Sequence, residues 1–123
     1  MTPESMPWDV IDEVLIYPYP NAVGVRDMSV VLRTRSRLRR AMRAADASPP
    51  WGGIAQAFAN EEYYYPAPTA EELAHQVLWF IAHGASSVWF YEWSGPDDIT
   101  GGIAKNEDYQ AVCRLACSGG LFE

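Results

Sequence analysis

The sequence has no apolar run long enough to cross a bilayer, which takes about 20 consecutive apolar residues. Its first residues, Met1-Thr2-Pro3-Glu4-Ser5-Met6-Pro7-Trp8, lack a basic stretch followed by an apolar core, so no secretory leader is read there. The expected location is cytoplasmic by default, unless the chain is a piece of a longer protein that is secreted. Positive charge is scarce: nine Lys and Arg face sixteen Asp and Glu, for a formal net charge of −7. That balance argues against a general nucleic-acid binder. Cysteine is limited to Cys113 and Cys117. They do not form a Cys-x-x-Cys motif, and no second Cys or Cys/His pair accompanies them for zinc. Four apart in an expected helix, they share a face and read as small buried residues. His75 and His83 are too far apart to chelate from one helical turn, so both read as structural. No metal or cofactor is expected, and no glycine-rich loop offers a phosphate cradle.

Apolar and aromatic residues are plentiful. The chain has 123 residues, of which 49% are hydrophobic and 20% charged, as expected for one globular domain. Aromatics make up 13%: five Trp, seven Tyr and four Phe. Residues 9–17 contain Val10, Ile11, Val14, Leu15 and Ile16, a run typical of a strand buried on both faces. The run stops at Tyr17-Pro18-Tyr19-Pro20, because prolines cannot continue a sheet ladder. Residues 21–24 read as a loop. Asp27 is placed to cap a helix reaching about residue 45, with Met28, Val31, Leu32, Leu38, Ala41, Met42 and Ala45 on an apolar stripe. The remaining faces of this helix carry Arg33, Arg35, Arg37, Arg39, Arg40 and Arg43, six of the nine basic residues. The rest of the chain then holds three bases against sixteen acids, or −13. The arginines read as the solvated outer face of a helix covering a sheet, with Arg35 near the apolar stripe and able to pair with another element.

Residues 49–93 form the best-marked unit, a strand, loop, helix and strand. Along residues 54–58, Ile54, Gln56 and Phe58 share one face and Ala55 and Ala57 the other. Alanines suit the face on which a helix packs, so Gln56 points away from it. It is either a satisfied structural amide or a substrate contact. The following loop holds Glu61, Glu62, Tyr63, Tyr64 and Tyr65. Aromatic rings stack on the apolar faces of sugars and carboxylates bind hydroxyls, so this mixture suits a carbohydrate. Thr69-Ala70-Glu71-Glu72 is a capping box opening a helix that buries Leu73, Val77, Phe80 and Ile81 and stops at Gly84. In the next strand Val88, Phe90 and Glu92 share one face, and Trp89, Tyr91 and Trp93 the other. A carboxylate such as Glu92 at the end of an apolar strand is costly unless it is used or paired. Residues 106–117 read as a last helix, with Tyr109, Val112, Cys113 and Leu115 as candidates for burial.

Strands and helices thus alternate three times, which implies an α/β fold with a parallel sheet. A closed (β/α)8 barrel needs roughly twice this length. The succession resembles the later half of (β/α)8-barrel glycoside hydrolases and related glycosidase-like barrels. Three stretches carry the likeness. Val14-Leu15-Ile16-Tyr17-Pro18-Tyr19-Pro20 looks like their strand ending in an acid and Pro-Tyr-Pro. Pro50-Trp51 with Gln56-Ala57-Phe58 looks like their Pro-x-Trp and Gln-Ala/Ser-Phe strand. Thr69 to Leu73, His83-Gly84-Ala85 and Phe90-Tyr91-Glu92-Trp93 look like their helix, turn and Phe-Tyr-x-Trp/Tyr strand. Tyr17 departs from the pattern by replacing the usual acid.

The resemblance implies a partial barrel over residues 1–123, a half TIM barrel with strands near the fifth to seventh. It places Tyr17, Tyr19, Gln56, Glu61, Glu62, Tyr91, Glu92 and Trp93 at the carboxyl ends of the strands, where such barrels bind substrate. Glu92 is the candidate nucleophile and the others candidate substrate contacts. The family's acid/base on the fourth strand would precede Met1. The expectation is a barrel fragment that acts on carbohydrate in its parent but is inactive alone, associating with itself or with the missing half. A sugar-binding module and a non-catalytic structural or oligomerising domain remain the alternatives.

Overall fold

The computed structural model describes residues 6–22, 25–59, 66–92 and 103–119. The elements run β1 (Val14–Ile16), β2 (Asn21–Ala22), β3 (Val25–Arg26), α1 (Ser29–Ala44), β4 (Trp51–Gln56), α2 (Ala70–Ala82), β5 (Ser87–Tyr91) and α3 (Glu107–Ser118). Short 3-10 turns, Trp8–Val10 and Ile103–Lys105, precede β1 and α3. Strands β1, β4 and β5 form one parallel sheet in the order β1-β4-β5. The fold is therefore mixed α/β, with helices α1 and α2 joining successive parallel strands. The loop expected at residues 21–24 instead contributes to a separate antiparallel pair, with Asn21 opposite Arg26 and Ala22 opposite Val25.

The register sorts the sheet into two faces. Trp51 aligns with Val14, Gly53 with Ile16 and Val88, and Ala55 with Phe90. This face packs on the helices. Ile16, Trp51, Ala55, Leu73, Phe80, Tyr109 and Val112 join in one core cluster. Gly53 sets the distance of approach: a Cβ there would lie 2.4 Å from Cδ1 of Phe80. The phenyl ring occupies the space that any other residue would fill. On the opposite face Leu15 aligns with Gly52, Ile54 with Trp89 and Gln56 with Tyr91. Leu15 is 39% exposed and Trp89 53%. A strand buried on both faces, expected for residues 9–17, is thus not found. β1 has three residues, and Leu15 lines an open cleft with Val30 and Thr34 of α1.

The helices begin and end as their polar residues require. Asp27 Oδ1 accepts the Ser29 N–H at 2.9 Å and the Ser29 hydroxyl at 2.6 Å, just before α1. These bonds, with Arg33 nearby, hold the Asp27 carboxyl below its usual range. At α2 the capping box forms in full. Thr69 Oγ1 accepts the Glu72 N–H at 3.1 Å, and Glu72 Oε1 accepts the Thr69 N–H at 3.0 Å. Gly84 follows α2 at φ +93°, a left-handed conformation that glycine adopts without a Cβ clash. Asn106 caps α3 by accepting the Tyr109 N–H at 3.0 Å.

Four helix residues expected inside lie outside; one is Cys117, exposed near the end of α3, while Cys113 four residues before it is half-buried. Leu32 is 49% exposed, because it sits about 100° round α1 from the fully buried Val31. Ile81 is 41% exposed, since α2 turns Leu73, Gln76, Val77 and Phe80 inward, and Ile81 lies off that stripe. Leu115 is 46% exposed, off the face that buries Tyr109 and Val112.

Candidate functional site

Both tyrosines around Pro18 and the last residue of β5 gather at the carboxyl edge of the parallel sheet. β4 ends in Gln56-Ala57-Phe58, and the Ala57 N–H donates to the Tyr91 carbonyl at 2.7 Å, extending the pairing one residue further. Phe58 therefore lies between the end of β1 and the end of β5. A file of ring contacts crosses all three strand ends. Tyr17 meets Tyr19 at 5.7 Å between centroids, Tyr19 meets Phe58 edge-on at 5.0 Å, and Phe58 meets Tyr91 edge-on at 5.4 Å. These spacings are those of favourable aromatic pairs. The outer members are open: Tyr17 is 67% exposed and Tyr91 47%. Phe58 is buried between them. It was legible in the alternation with Ile54 and Gln56, but a search restricted to polar and acidic residues passes over it. Below Tyr17 and Tyr19, a cleft of about 440 Å³ runs between β1 and α1, lined also by Leu15, Ile16, Pro18, Val30 and Thr34.

Glu92 sits at one end of this file. Strict alternation would put it on the face opposite Tyr91. The strand, however, closes at Tyr91, and hydrogen bonding between the Tyr91 phenol and the Glu92 carboxylate acts on the phenol's titration. That hydrogen bond, followed by the carboxylate's charge, pushes the Tyr91 phenol above its usual pKa. The Glu92 carbonyl accepts the Ile103 N–H at 2.9 Å, which ties the strand end to the turn before α3. Glu92 is half-buried.

Gln56 belongs to the frame beneath the rim. It is fully buried, and its amide nitrogen donates to the carbonyls of Phe58 at 3.2 Å and Pro66 at 3.3 Å. These two bonds engage the amide nitrogen within the protein. Those bonds hold the chain leaving β4 and the chain returning towards α2. Tyr109 supports the same region by donating its hydroxyl to the Pro68 carbonyl at 2.6 Å. Glu61, Glu62 and Trp93 lie outside the described residues.

At the opposite, amino edge of the sheet, Glu13 Oε2 accepts the Ser86 hydroxyl at 2.6 Å and the Ser87 hydroxyl at 3.0 Å. Ser87 Oγ in turn accepts the Trp89 indole N–H at 3.0 Å. This network ties the start of β1 to β5. Cys113 and Cys117 are both free thiols. Burial, with Cys117 beside it, pushes the Cys113 thiol up, the opposite of what an activated thiolate needs. His83 stacks on Trp79 at 3.8 Å and 12°, with its Nδ1 2.9 Å from the Trp79 carbonyl oxygen. Among the described residues no group of three or more His, Cys, Asp or Glu could hold a metal, and no helix is long and apolar enough to cross a membrane. Comparison of the chain with protein-family models, with curated proteins and with solved structures finds no match.

Proposed function

We propose that this chain is one side of a glycosidase-like (β/α)8 barrel and presents the aromatic wall of a carbohydrate cleft. The observation that carries the reading is the file Tyr17–Tyr19–Phe58–Tyr91 across the carboxyl ends of three parallel strands, with open rings at both ends. Ligands of parallel α/β sheets bind at that edge. Exposed tyrosine rings offer flat apolar surfaces to pyranose faces, and Glu92 beside Tyr91 accepts hydroxyl hydrogens. In this reading Glu92 is the barrel's nucleophile and Tyr17, Tyr19, Tyr91 and Trp93 are substrate contacts, with Glu61 and Glu62, in the stretch between β4 and α2, as further contacts. Gln56 acts by holding that stretch's two ends.

Glycoside hydrolysis takes two carboxylates roughly 5–10 Å apart across the scissile bond. Among the described residues the strand ends named here supply one, Glu92, and the proposal includes that the isolated chain binds sugar without cleaving it. The uncovered face with Leu15, Ile54 and Trp89 supports a companion: a complementary barrel half, or another copy standing in for it. Parallel sheets are found with both faces covered.

The test is titration with β- and α-linked oligosaccharides, read by tyrosine and tryptophan fluorescence, beside an aryl-glycoside assay. Binding weakened roughly 5-fold by Tyr17→Ala or Tyr91→Ala, without turnover, is expected, since one well-placed ring contact is worth about 1 kcal/mol. Turnover abolished by Glu92→Gln would overturn the inactivity of the isolated chain. Absence of binding to any oligosaccharide would overturn the carbohydrate reading and leave the oligomerising one.

A further inference from the structure

The basic residues of this acidic protein are concentrated on one helix, and the structure leaves most of them unpaired. α1 (Ser29–Ala44) contains six arginines and no acid. Arg33 pairs with Asp27 at 3.4 Å, and Arg35 turns aside to donate to the His83 carbonyl at 3.4 Å. Arg37, Arg39, Arg40 and Arg43 are exposed, and none has an ion pair among the described residues. From Arg33 to Arg43 the stripe runs about 15 Å along the helix. Its members stand three and four residues apart, at Arg33/Arg37, Arg37/Arg40, Arg40/Arg43 and Arg39/Arg43, where like charges repel. An acid at any of these spacings would relieve the repulsion, yet all sixteen acids lie elsewhere in the chain.

Leu32 adds a second observation. It is 49% exposed on the ridge it shares with Ser36, Arg39 and Arg43. An exposed apolar side chain on the same ridge as Arg39 and Arg43 gives this face an apolar point beside its charges, as interfaces combine an apolar centre with a polar rim. Guanidinium is also the cation suited to such a contact, since its planar fork binds a carboxylate through two parallel hydrogen bonds. A membrane surface does not fit, because the apolar side of α1 is spent on the sheet through Val31, Met28 and Leu38. A nucleic acid does not fit either: α1 has no aromatic residue to stack on bases, and the protein as a whole is at −7.

We infer that the Leu32–arginine face of α1 docks on the carboxylate-bearing surface of a second copy of this chain. Charge complementarity selects that occupant. Outside α1 the same chain carries three bases and sixteen acids. Exposed carboxylates there include Glu71 in the first turn of α2 and Glu107 and Asp108 in the first turn of α3. The Tyr109–Pro68 hydrogen bond holds those two turns side by side. A basic face meeting a different, acidic face is a head-to-tail contact, which builds rings or open chains rather than one isologous pair. The inference does not depend on the carbohydrate reading.

Analytical ultracentrifugation over a concentration series tests it, at about 0.02 M and about 0.5 M salt, either side of the ~10 Å screening length at 0.1 M. The expected result is a mass that grows with concentration in low salt and returns to the 13.7 kDa monomer in high salt. Association through the uncovered sheet face would instead persist or strengthen in high salt, and would overturn the inference. A charge-swap pair makes the test specific. R37E/R40E/R43E alone and E71R/E107R/D108R alone should each stay monomeric in low salt, with unchanged circular dichroism, and their equimolar mixture should associate again. Failure of the mixture to associate, or a wild-type chain that stays monomeric yet binds duplex DNA or anionic vesicles through this stripe, would overturn the proposal.

Discussion

Gln76 satisfies both backbone groups of Gln56. Its Oε1 accepts the Gln56 N–H at 2.8 Å and its Nε2 donates to the Gln56 carbonyl at 3.2 Å. Both residues are fully buried. A helix side chain thus completes the ladder of a strand where β4 runs out, and fixes α2 over the end of the sheet. Unpaired, each buried backbone group costs about 1–3 kcal/mol. Gln76→Leu, which keeps the bulk and removes both bonds, should lower stability by about 2–4 kcal/mol. Urea unfolding should show a lower midpoint with an unchanged slope. Gln76→Glu keeps an acceptor for the N–H but loses the donor and buries a carboxyl, so it should not rescue.

The contact between Gly53 and Phe80 leads to a second expectation. A methyl at position 53 would meet the ring at 2.4–2.5 Å from three of its carbons. The ring is fully buried against Trp51, with centroids 6.3 Å apart, and has little room to turn. Gly53→Ala should therefore cost about 1–3 kcal/mol as an overpacked core. Pairing it with Phe80→Leu should recover part of that loss. A double-mutant cycle by chemical denaturation reads the coupling, and additivity of the two changes would contradict the packing described.

Thr69 and Glu72 satisfy each other's backbone N–H groups at the start of α2. Thr69→Ala should cost about 1 kcal/mol, and Thr69→Ser or Thr69→Asp much less, since each retains an oxygen for the Glu72 N–H. The same helix supplies Gln76 and Phe80. Hydrogen exchange at the end of β4 should therefore quicken in the alanine variant, beyond the fraying of the first turn itself.

Much of this architecture could be read before the structure was known, because it depends on local chemistry. The box at Thr69 and Glu72, the prolines that stop β1 and the alternation of Ile54, Gln56 and Phe58 are each decided within a few residues. Gln76 was as accessible in principle, since it lies three residues from Leu73 and four from Phe80 on the buried stripe. Its polarity gives no sign of burial, and only the end of β4 in space explains its place. Leu15 and Leu32 show the converse. Their apolar character implied burial, but Leu15 lines an open cleft and is 39% exposed, and Leu32 shares its side of α1 with arginines. At the rim, the tyrosines were recognisable from their position after the strands, whereas the bond between Tyr91 and Glu92 was not. Alternation separates neighbours on a strand, and β5 stops between these two.

That bond makes Tyr91 the most informative titrating group at the rim. The Glu92 carboxylate accepts from the neutral phenol and repels the phenolate, so the folded-state pKa is raised above the unfolded value of about 10. A raised pKa means that the folded state holds the phenolic proton more tightly. The resulting stabilisation is fully present below the unfolded pKa and disappears as pH rises through the folded one. Because Tyr91 is 47% exposed, water screens the contribution and its effect on stability is small, while its titration remains readable. With ¹³C-labelled tyrosine, the Tyr91 Cζ resonance should titrate later than those of freely exposed tyrosines. Glu92→Gln should return it part of the way towards the ordinary value, since it removes the charge while an amide oxygen still accepts the hydrogen bond that is the larger cause. An oligosaccharide that engages Glu92 should move the wild-type titration in the same direction as Glu92→Gln. The effect should be absent in Glu92→Gln itself, which separates a ligand on the carboxylate from one that merely covers the ring.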